Sequence, residues 1–401
     1  MVSKERIQTL SNNIKETIIG YRRHLHEHPE LSFHEVETAR FVAEKLREMG
    51  LQPKEGLGVR QAHTGITALI EGRNPDKRVV ALRADMDALP ILEKNDIDYK
   101  SVNEGVMHAC GHDVHTSSLL GTAKILCELK EEFEGTVKLI FQPGEESPPG
   151  GASLLIEAGV LEDPKPDVII GQHVWPQLPV GTVGMAKGVF LASADMFEIT
   201  IKGKGGHAAM PHLCIDPVVI AAQVIISLQN LTSRVSDPLN PMVLSICKLR
   251  GGDALNVIPN EVTLGGTLRV MDEEWREEVI GKIEAIAQSI SETMGGTSEF
   301  KLTPGYPSLL NDVPLTERIE ASVTNYIGKE RIIPMPKVMG SEDFSFYTHH
   351  MPGSFYVIGV GNPEKGITAN VHEDTFNVDE DALGLAPGLM AWIALEELER
   401  D

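Results

Sequence analysis

Apolar residues along this chain follow two periods, and the change between them divides it into segments. Through the first half, short continuous apolar runs at 66–72, 78–84, 136–141 and 167–172 end in turn-forming residues. Such runs read as buried strands, and their alternation with helical patterns predicts an α/β domain with a largely parallel sheet. One helical pattern repeats at Val36, Ala39, Ala43 and Leu46 and closes at Gly50. Ser32 and Glu35 precede it at capping-box spacing, so they are expected to cap its start. A second helix is expected from Val114 to about Phe133. From about Ala192 the order becomes strand, helix, strand, strand, helix, strand, the β-α-β-β-α-β succession of a ferredoxin-like unit. After about Thr303 the α/β pattern resumes, with a strand at 354–361 and a closing helix from about Glu380 to Glu399. The expected organisation is therefore an α/β domain made of residues 1–190 and 304–401, interrupted by a ferredoxin-like insertion at 191–303.

Composition narrows the possible partners. A chain of 401 residues exceeds the roughly 250–300 at which one core stops growing, which agrees with two domains. Its net charge of −22 disfavours nucleic acid and anionic membranes, leaving small molecules and protein subunits. Met1 to Ile18 contain no continuous apolar stretch of the kind a signal peptide needs. No apolar run approaches the roughly 20 residues that span a bilayer. The four cysteines, at 110, 127, 214 and 247, form no close-spaced framework, so a reducing compartment, the cytoplasm, is expected. Cys127 and Cys247 lie in apolar patterns and are expected as core thiols.

Candidate metal donors fall at strand ends. Asp85 and Asp87 follow the 78–84 run, Glu145 and Glu146 follow 136–141, and His173 follows 167–172. Ligands of open parallel sheets bind at that edge. Cys110 and His112, in a loop before a helix, and His372, after the 354–361 strand, can reach it too. Thiolate, imidazole and carboxylate together suit zinc or a neighbouring transition ion. On spacing alone His108 and His115 compete with these residues. Glu145 and Glu146, if extended, would point to opposite sides, one toward a metal and one toward a water. The runs GKGGHA and GVGNPEKG lack the strand, glycine spacing and later acid of a dinucleotide site.

Ordered motifs add a resemblance. RRHLHEHPELSFHEVETA, ALRADMDALP, MHACGHDVHTSSLLG, FQPGEE, GQHVWP, GKGGHAAMPH, NVIPNE, GSEDFSFY and VHEDTF resemble the aminoacylase/carboxypeptidase family of dinuclear metallohydrolases, nearest to its hippurate hydrolase and auxin-conjugate amidohydrolase branch. The likeness runs from about Tyr21 to the end of the chain. It implies a catalytic domain with two divalent metal ions (Mn, Zn, Co or Ni) held by Cys110, His112, Glu146, His173 and His372, and an inserted lid or dimerisation domain. Where the wider family has a histidine ligand, this chain has Asp85, so Asp85 and Asp87 are expected to orient ligands rather than bind metal. The resemblance assigns Glu145 as base and then acid. It also assigns His207 to the oxyanion, reaching the site of a partner subunit in relatives, so a homodimer through the inserted domain is expected. Arg269 and Asn256 are candidates for a substrate α-carboxylate and acyl carbonyl. His212 and Cys214 form a minor candidate pair. The expected reaction is hydrolysis of an N-acyl amino acid to a carboxylic acid and a free amino acid. A carboxypeptidase or dipeptidase on the same scaffold is the alternative, as is a non-catalytic metal-binding scaffold, against which the presence of Glu145 argues.

Overall fold

The computed structural model describes residues 2–400. Its contacts separate two units, one of 1–190, 310–336 and 343–401 and the other of 191–309 and 337–342. The first unit opens with helices α1 (Lys4–Glu27) and α2 (Val36–Glu48), followed by strands β1 (Lys54–Leu57), β2 (Gly65–Glu71) and β3 (Val79–Asp85). Helix α3 (His112–Leu129) and strands β4 (Thr136–Gln142), β5 (Val168–Pro179) and β6 (Val183–Met185) follow. The second unit contains β7 (Asp195–Lys202), α4 (Pro217–Asn230), β8 (Met242–Arg250), β9 (Glu261–Val270), α5 (Glu273–Thr293) and β10 (Thr297–Thr303). The chain then returns to the first unit with α6 (Val313–Ile327), β11 (Ile332–Pro334), β12 (Gly353–Gly361) and α7 (Ala382–Leu398).

The eight-stranded sheet of the first unit has the order β1-β2-β4-β3-β5-β12-β6-β11. Its central pairs β4–β3, β3–β5 and β5–β12 are parallel, whereas β1–β2, β2–β4 and β12–β6 are antiparallel. Strands β3, β4 and β12 are buried along their whole length. Covered on both faces, they carry apolar residues without alternation, which is why they appear in the sequence as continuous runs. Helices α1, α3 and α7 pack against one another, and α7 is buried on almost every side. The sheet of the second unit has the order β8-β9-β7-β10, with every pair antiparallel, the ferredoxin-like arrangement. Its core joins Ile199, Ile201 and Leu264 of the sheet to Val224 and Leu228 of α4 and Val279 and Ile283 of α5. The segment Pro217–Val235 is long and apolar enough to cross a membrane by length and composition. Its Ile220, Val224 and Leu228 face is nonetheless buried in this core, while Val218, Val219 and Ile226 are exposed.

Two local expectations are overturned. Helix α2 starts at Val36, but Ser32 and Glu35 do not cap it. The Glu30 carboxylate accepts the N–H groups of Glu37 (3.2 Å) and Thr38 (2.8 Å) instead. Glu35 is turned inward: its Oε1 accepts from the N–H groups of Phe33 and Gly144 and its Oε2 from the Thr64 hydroxyl, each at 2.8 Å. Ser32 donates to Asp87 Oδ2 at 2.6 Å. A buried carboxylate needs its acceptor capacity filled, and tertiary donors on two other segments, together with the local Phe33 N–H, prevail over one helix end. Val36 is 60% exposed, so the buried face runs through Thr38, Val42, Ala43 and Leu46. Cys247 is exposed rather than buried. It sits where the β8–β9 register shifts between Ile246 and Lys248, on a strand at the sheet edge, and a bulge breaks the in-out alternation. Cys127 packs partly buried against the core.

Burial, reinforced by Asp87, raises the Glu35 carboxyl from an ordinary 4.5 to about 7. The folded chain therefore holds this proton at pH values where the unfolded chain has released it, and stability falls as pH rises from about 4.5 to about 7. At 1.36 kcal/mol per pKa unit the loss is about 3 kcal/mol. Replacing Glu35 by Gln removes the titration, so the melting temperature of Glu35→Gln should fall less than that of the parent between about pH 5 and 7. Parallel curves for the two proteins would contradict this.

Candidate metal centre

Side chains from five segments meet at one end of the large sheet. Strand β3 ends in Asp85, Asp87 follows it, and α3 begins at His112. The turn after β4 carries Glu145 and Glu146. His173 lies within β5, opposite Val357 of β12, because β5 continues to Pro179 instead of stopping at Gln172. Gly111, between Cys110 and His112, has φ of +89°, and a Cβ there would lie 2.4 Å from Val174 Cγ2. Only glycine lets this loop lie so close to β5, and its backbone conformation is one that L side chains rarely adopt. His372 adopts φ of +65° and its N–H donates to the carbonyl of Ala109 at 2.7 Å, which ties the last segment to the one that carries Cys110.

Cys110, His112 and His173 place one donor atom each within 4.8 Å of one another, and so do Cys110, Glu146 and His372. Cys110 is common to both groups. A further group joins His112, Glu145 and Glu146 at the same spacing. Cys110 Sγ is 3.5 Å from His173 Nε2, and His372 Nε2 is 3.1 Å from Glu146 Oε1.

Hydrogen bonds set the imidazole tautomers. His112 Nδ1 lies 2.8 Å from the backbone oxygen of Asp87 and His173 Nδ1 lies 2.6 Å from that of Val174. A carbonyl only accepts, so both rings carry a proton on Nδ1, which leaves Nε2 as the atom each ring can turn toward a cation. His112 Nε2 is buried without a hydrogen-bond partner. A buried nitrogen with no protein partner, next to a thiol and carboxylates, is a place that a cation would fill in exchange for a proton, so these residues fit a metal site. His115 is committed elsewhere: its Nε2 accepts the Val174 N–H at 2.9 Å and its Nδ1 donates to Asp85 Oδ1 at 2.6 Å. His108 is buried with both ring nitrogens unpartnered, and burial lowers its pKa to about 4.

Asp85 and Asp87 hold the surroundings in place. Asp85 Oδ2 accepts from Arg83 at 2.5 Å, and Arg83 also donates to Gln142 (2.9 Å) and Asp343 (2.7 Å). Asp87 Oδ1 and Oδ2 accept the N–H groups of Glu145 (3.0 Å) and Glu146 (2.9 Å). This geometry corrects the expectation that the two glutamates diverge. Residues 145 and 146 occupy a bend rather than a strand, so period-two alternation does not apply and their carboxylate oxygens converge within 4.8 Å. Gly144 has φ of +63° and lies against the Phe33 ring. Sequence reasoning missed Ser32, Glu35 and Asp113. Asp113 accepts from Arg22 Nε and His26 Nδ1, both at 2.8 Å and all buried. The signal for these residues was polarity in segments that otherwise read as caps or helix.

The electrostatics are those of an anionic cluster. Burial lowers the pKa of His112, but Asp85 and Asp87, with help from Glu146, raise it to about 10. Burial, then Glu146, Glu145 and Asp85, push the Cys110 thiol well above its usual value. Negative potential contributes to both shifts, adding to burial at Cys110 and overcoming it at His112, and a divalent cation relieves that potential more strongly than a proton does.

His207, Asn256 and Arg269 lie in the second unit. His207 pairs with Val257 in a two-stranded ribbon, and the Ala208 N–H donates to the Asn256 carbonyl at 3.1 Å, so His207 and Asn256 are exposed neighbours. Arg269, half-buried on β9, donates to the Ser341 hydroxyl at 3.1 Å. His212 and Cys214 join no group of three metal-type donors among the described residues.

The sequence signature of peptidase family M20/M25/M40 matches residues 81–393. The chain is 46% identical over 310 residues to an N-acyl-L-amino acid amidohydrolase of Geobacillus stearothermophilus, covering 77% of this chain and 82% of that one. It is 38% identical to thermostable carboxypeptidase 2 of Saccharolobus solfataricus, covering 97% and 98%. Among solved structures it is similar to a Bacillus subtilis protein described as a dinuclear metal binding peptidase from the M20 family. That structure gives a TM-score of 0.84 and 38% identity over 96% of this chain and 99% of that one.

Gly144 offers a direct test of the turn. A Cβ there would lie 2.2 Å from Phe33 Cε1, so Gly144→Ala should destabilise the chain by roughly 1–3 kcal/mol through overpacking and backbone strain. Denaturant midpoints that coincide with the parent would contradict the geometry.

Proposed function

We propose that this chain, which belongs to peptidase family M20/M25/M40 and is a metal-dependent hydrolase, cleaves the amide bond of N-acylated amino acids bearing a free α-carboxylate. The products are a carboxylic acid and a free amino acid. The observation that carries this reading is the pair of donor groups sharing Cys110, with the Glu145 carboxylate converging on them. The similarity to an amidohydrolase and to a carboxypeptidase supports the substrate class. Both names describe an acyl group joined through N–H to an amino acid, the carboxypeptidase being the case in which the acyl group is a peptide.

In this reading Cys110, His112 and His173 hold one divalent ion, and Cys110, Glu146 and His372 hold a second. The mixed sulfur, nitrogen and oxygen set suits Zn, Co, Ni or Mn. Bound there, such ions supply Lewis acidity toward water and toward an acyl oxygen. The Glu145 carboxylate takes a proton from the attacking water and delivers it to the departing amide nitrogen. Asp87 Oδ1 accepts the backbone N–H of Glu145 and so fixes where that carboxylate starts, and Asp85 orients the neighbouring His115 imidazole. Arg269 meets a hydroxyl rather than a carboxylate, which leaves its charge for the substrate α-carboxylate. His207 and Asn256, side by side on their ribbon, are suited to the acyl oxygen. Exposed Val218, Val219 and Ile226 on α4 and Leu249 on β8 support a homodimer through the second unit. Four unpaired cysteines fit a reducing cytoplasmic setting.

Glu145→Ala should lower kcat by about 10²–10⁴-fold while metal content stays at the parent's level. Normal turnover by this variant would overturn the assigned base. Chelation should abolish activity and lower the melting temperature, with Mn, Zn, Co or Ni restoring both, and His112→Ala should bind less metal by elemental analysis. Activity that survives exhaustive chelation would contradict the site. A panel of N-acetyl and N-benzoyl amino acids, dipeptides and their C-terminal amides should show hydrolysis only where the α-carboxylate is free. Equal rates on the amidated compounds would remove that requirement.

A further inference from the structure

We infer that Glu35 is a positioning residue that sets the placement of the Glu145 carboxylate through the backbone of the 143–146 turn. The inference rests on the reading of Glu145 as the proton-transferring group. Three successive amides of this turn each donate to a buried carboxylate: Gly144 to Glu35 Oε1 (2.8 Å), Glu145 to Asp87 Oδ1 (3.0 Å) and Glu146 to Asp87 Oδ2 (2.9 Å). Glu35 is fully buried and Asp87 nearly so, and each is fixed from elsewhere. Thr64 donates to Glu35 Oε2, the Phe33 N–H donates to Oε1, and Ser32 donates to Asp87 Oδ2. The Phe33 ring covers Gly144 on a further side. Segment 32–35 is thus a template against which the turn is set.

The geometry separates positioning from mere charge. Gly144 is the residue immediately before Glu145, and with φ of +63° at Gly144 the orientation of its own peptide, held by Glu35, sets the direction in which the chain enters Glu145. If the Gly144 N–H is released, the turn rotates about that residue and the Glu145 carboxylate leaves the group it forms with His112 and Glu146. Misplacement of about 1 Å costs on the order of 10²-fold when reacting groups depend on alignment. Charge on Glu35 is not what the turn uses. A glutamine of equal length still accepts both N–H groups through its carbonyl and donates its amide to Thr64, whereas an aspartate keeps the charge but withdraws the acceptor by one methylene.

The test compares Glu35→Gln and Glu35→Asp, each alone and combined with Glu145→Ala, in metal-loaded full-length protein with an N-acyl amino acid substrate. Glu35→Asp should lower kcat by about 10–100-fold with KM and metal content close to the parent's, and Glu35→Gln should recover most of that loss. In the Glu145→Ala background neither change should lower the residual rate further, because Glu35 acts through a carboxylate that is no longer there. Higher activity for Asp than for Gln overturns the inference in favour of a charge role. A similar loss in both backgrounds overturns it in favour of general structural damage. Unchanged kcat for Glu35→Asp, with Glu145→Ala inactive, overturns the positioning role while leaving the base in place. Normal turnover by Glu145→Ala alone overturns the base assignment and this inference together.

Discussion

Asp87 is the residue on which the site depends. Its backbone oxygen fixes the tautomer of His112, and its two carboxylate oxygens anchor the amides of Glu145 and Glu146 while the Ser32 hydroxyl holds Oδ2. A single residue therefore sets the imidazole on one side of the cluster and both glutamates on the other. Hydrogen bonds to a charged acceptor are stronger than neutral ones, and here they are buried, where each lost partner costs a full desolvation penalty. The carboxylate stays ionised despite burial because donors surround it: its pKa is lowered, the His112 ring and the Ser32 hydroxyl outweighing desolvation.

Around this anchor the protein concentrates negative charge. Two carboxylates of β3 and its extension, two glutamates of the turn and a thiol lie together, with Arg83 the buried cation that reaches Asp85. Burying so many anions is unfavourable unless they are paired or coordinate a cation. The raised pKa of His112 and the raised thiol of Cys110 express that demand in protons. Metal affinity and proton affinity are thus two readings of the same potential, and the hydrogen bonds at Nδ1 leave Nε2 of His112 and of His173 to face it.

The second unit answers a different constraint. Four antiparallel strands carry two helices on one face, so the core of the unit is complete without the outer sides of α4 and β8. Apolar side chains there, Ile226 and Leu249 among them, are left more than half exposed in one chain. The His207–Asn256 ribbon likewise projects two polar residues from this unit without burying them.

The chain's pattern alone carried the mixed α/β class, the division into a mostly parallel sheet and a ferredoxin-like unit, and the candidate donors near strand ends. These were legible because two-sided burial gives β3, β4 and β12 continuous apolar runs, and because chemistry at strand ends follows from sheet topology. Helix α1 and the extension of β5 past His173 were not foreseen. Ser32 and Glu35 could not be assigned from the chain alone. Their spacing is that of a helix cap, and the competing donors, Thr64 and Gly144, are brought near only by folding. The same holds for the choice among His108, His112 and His115, which differ in sequence by a few positions. Tertiary hydrogen bonds occupy both nitrogens of His115 and leave Nε2 of His112 available, whereas His108, unpartnered at both nitrogens, joins no group of three metal-type donors among the described residues. The convergence of Glu145 and Glu146 was decided by a positive φ at Gly144 and two carboxylates on other segments. Local pattern encodes which face is buried; partners distant in sequence decide where a buried polar side chain finds its hydrogen bonds.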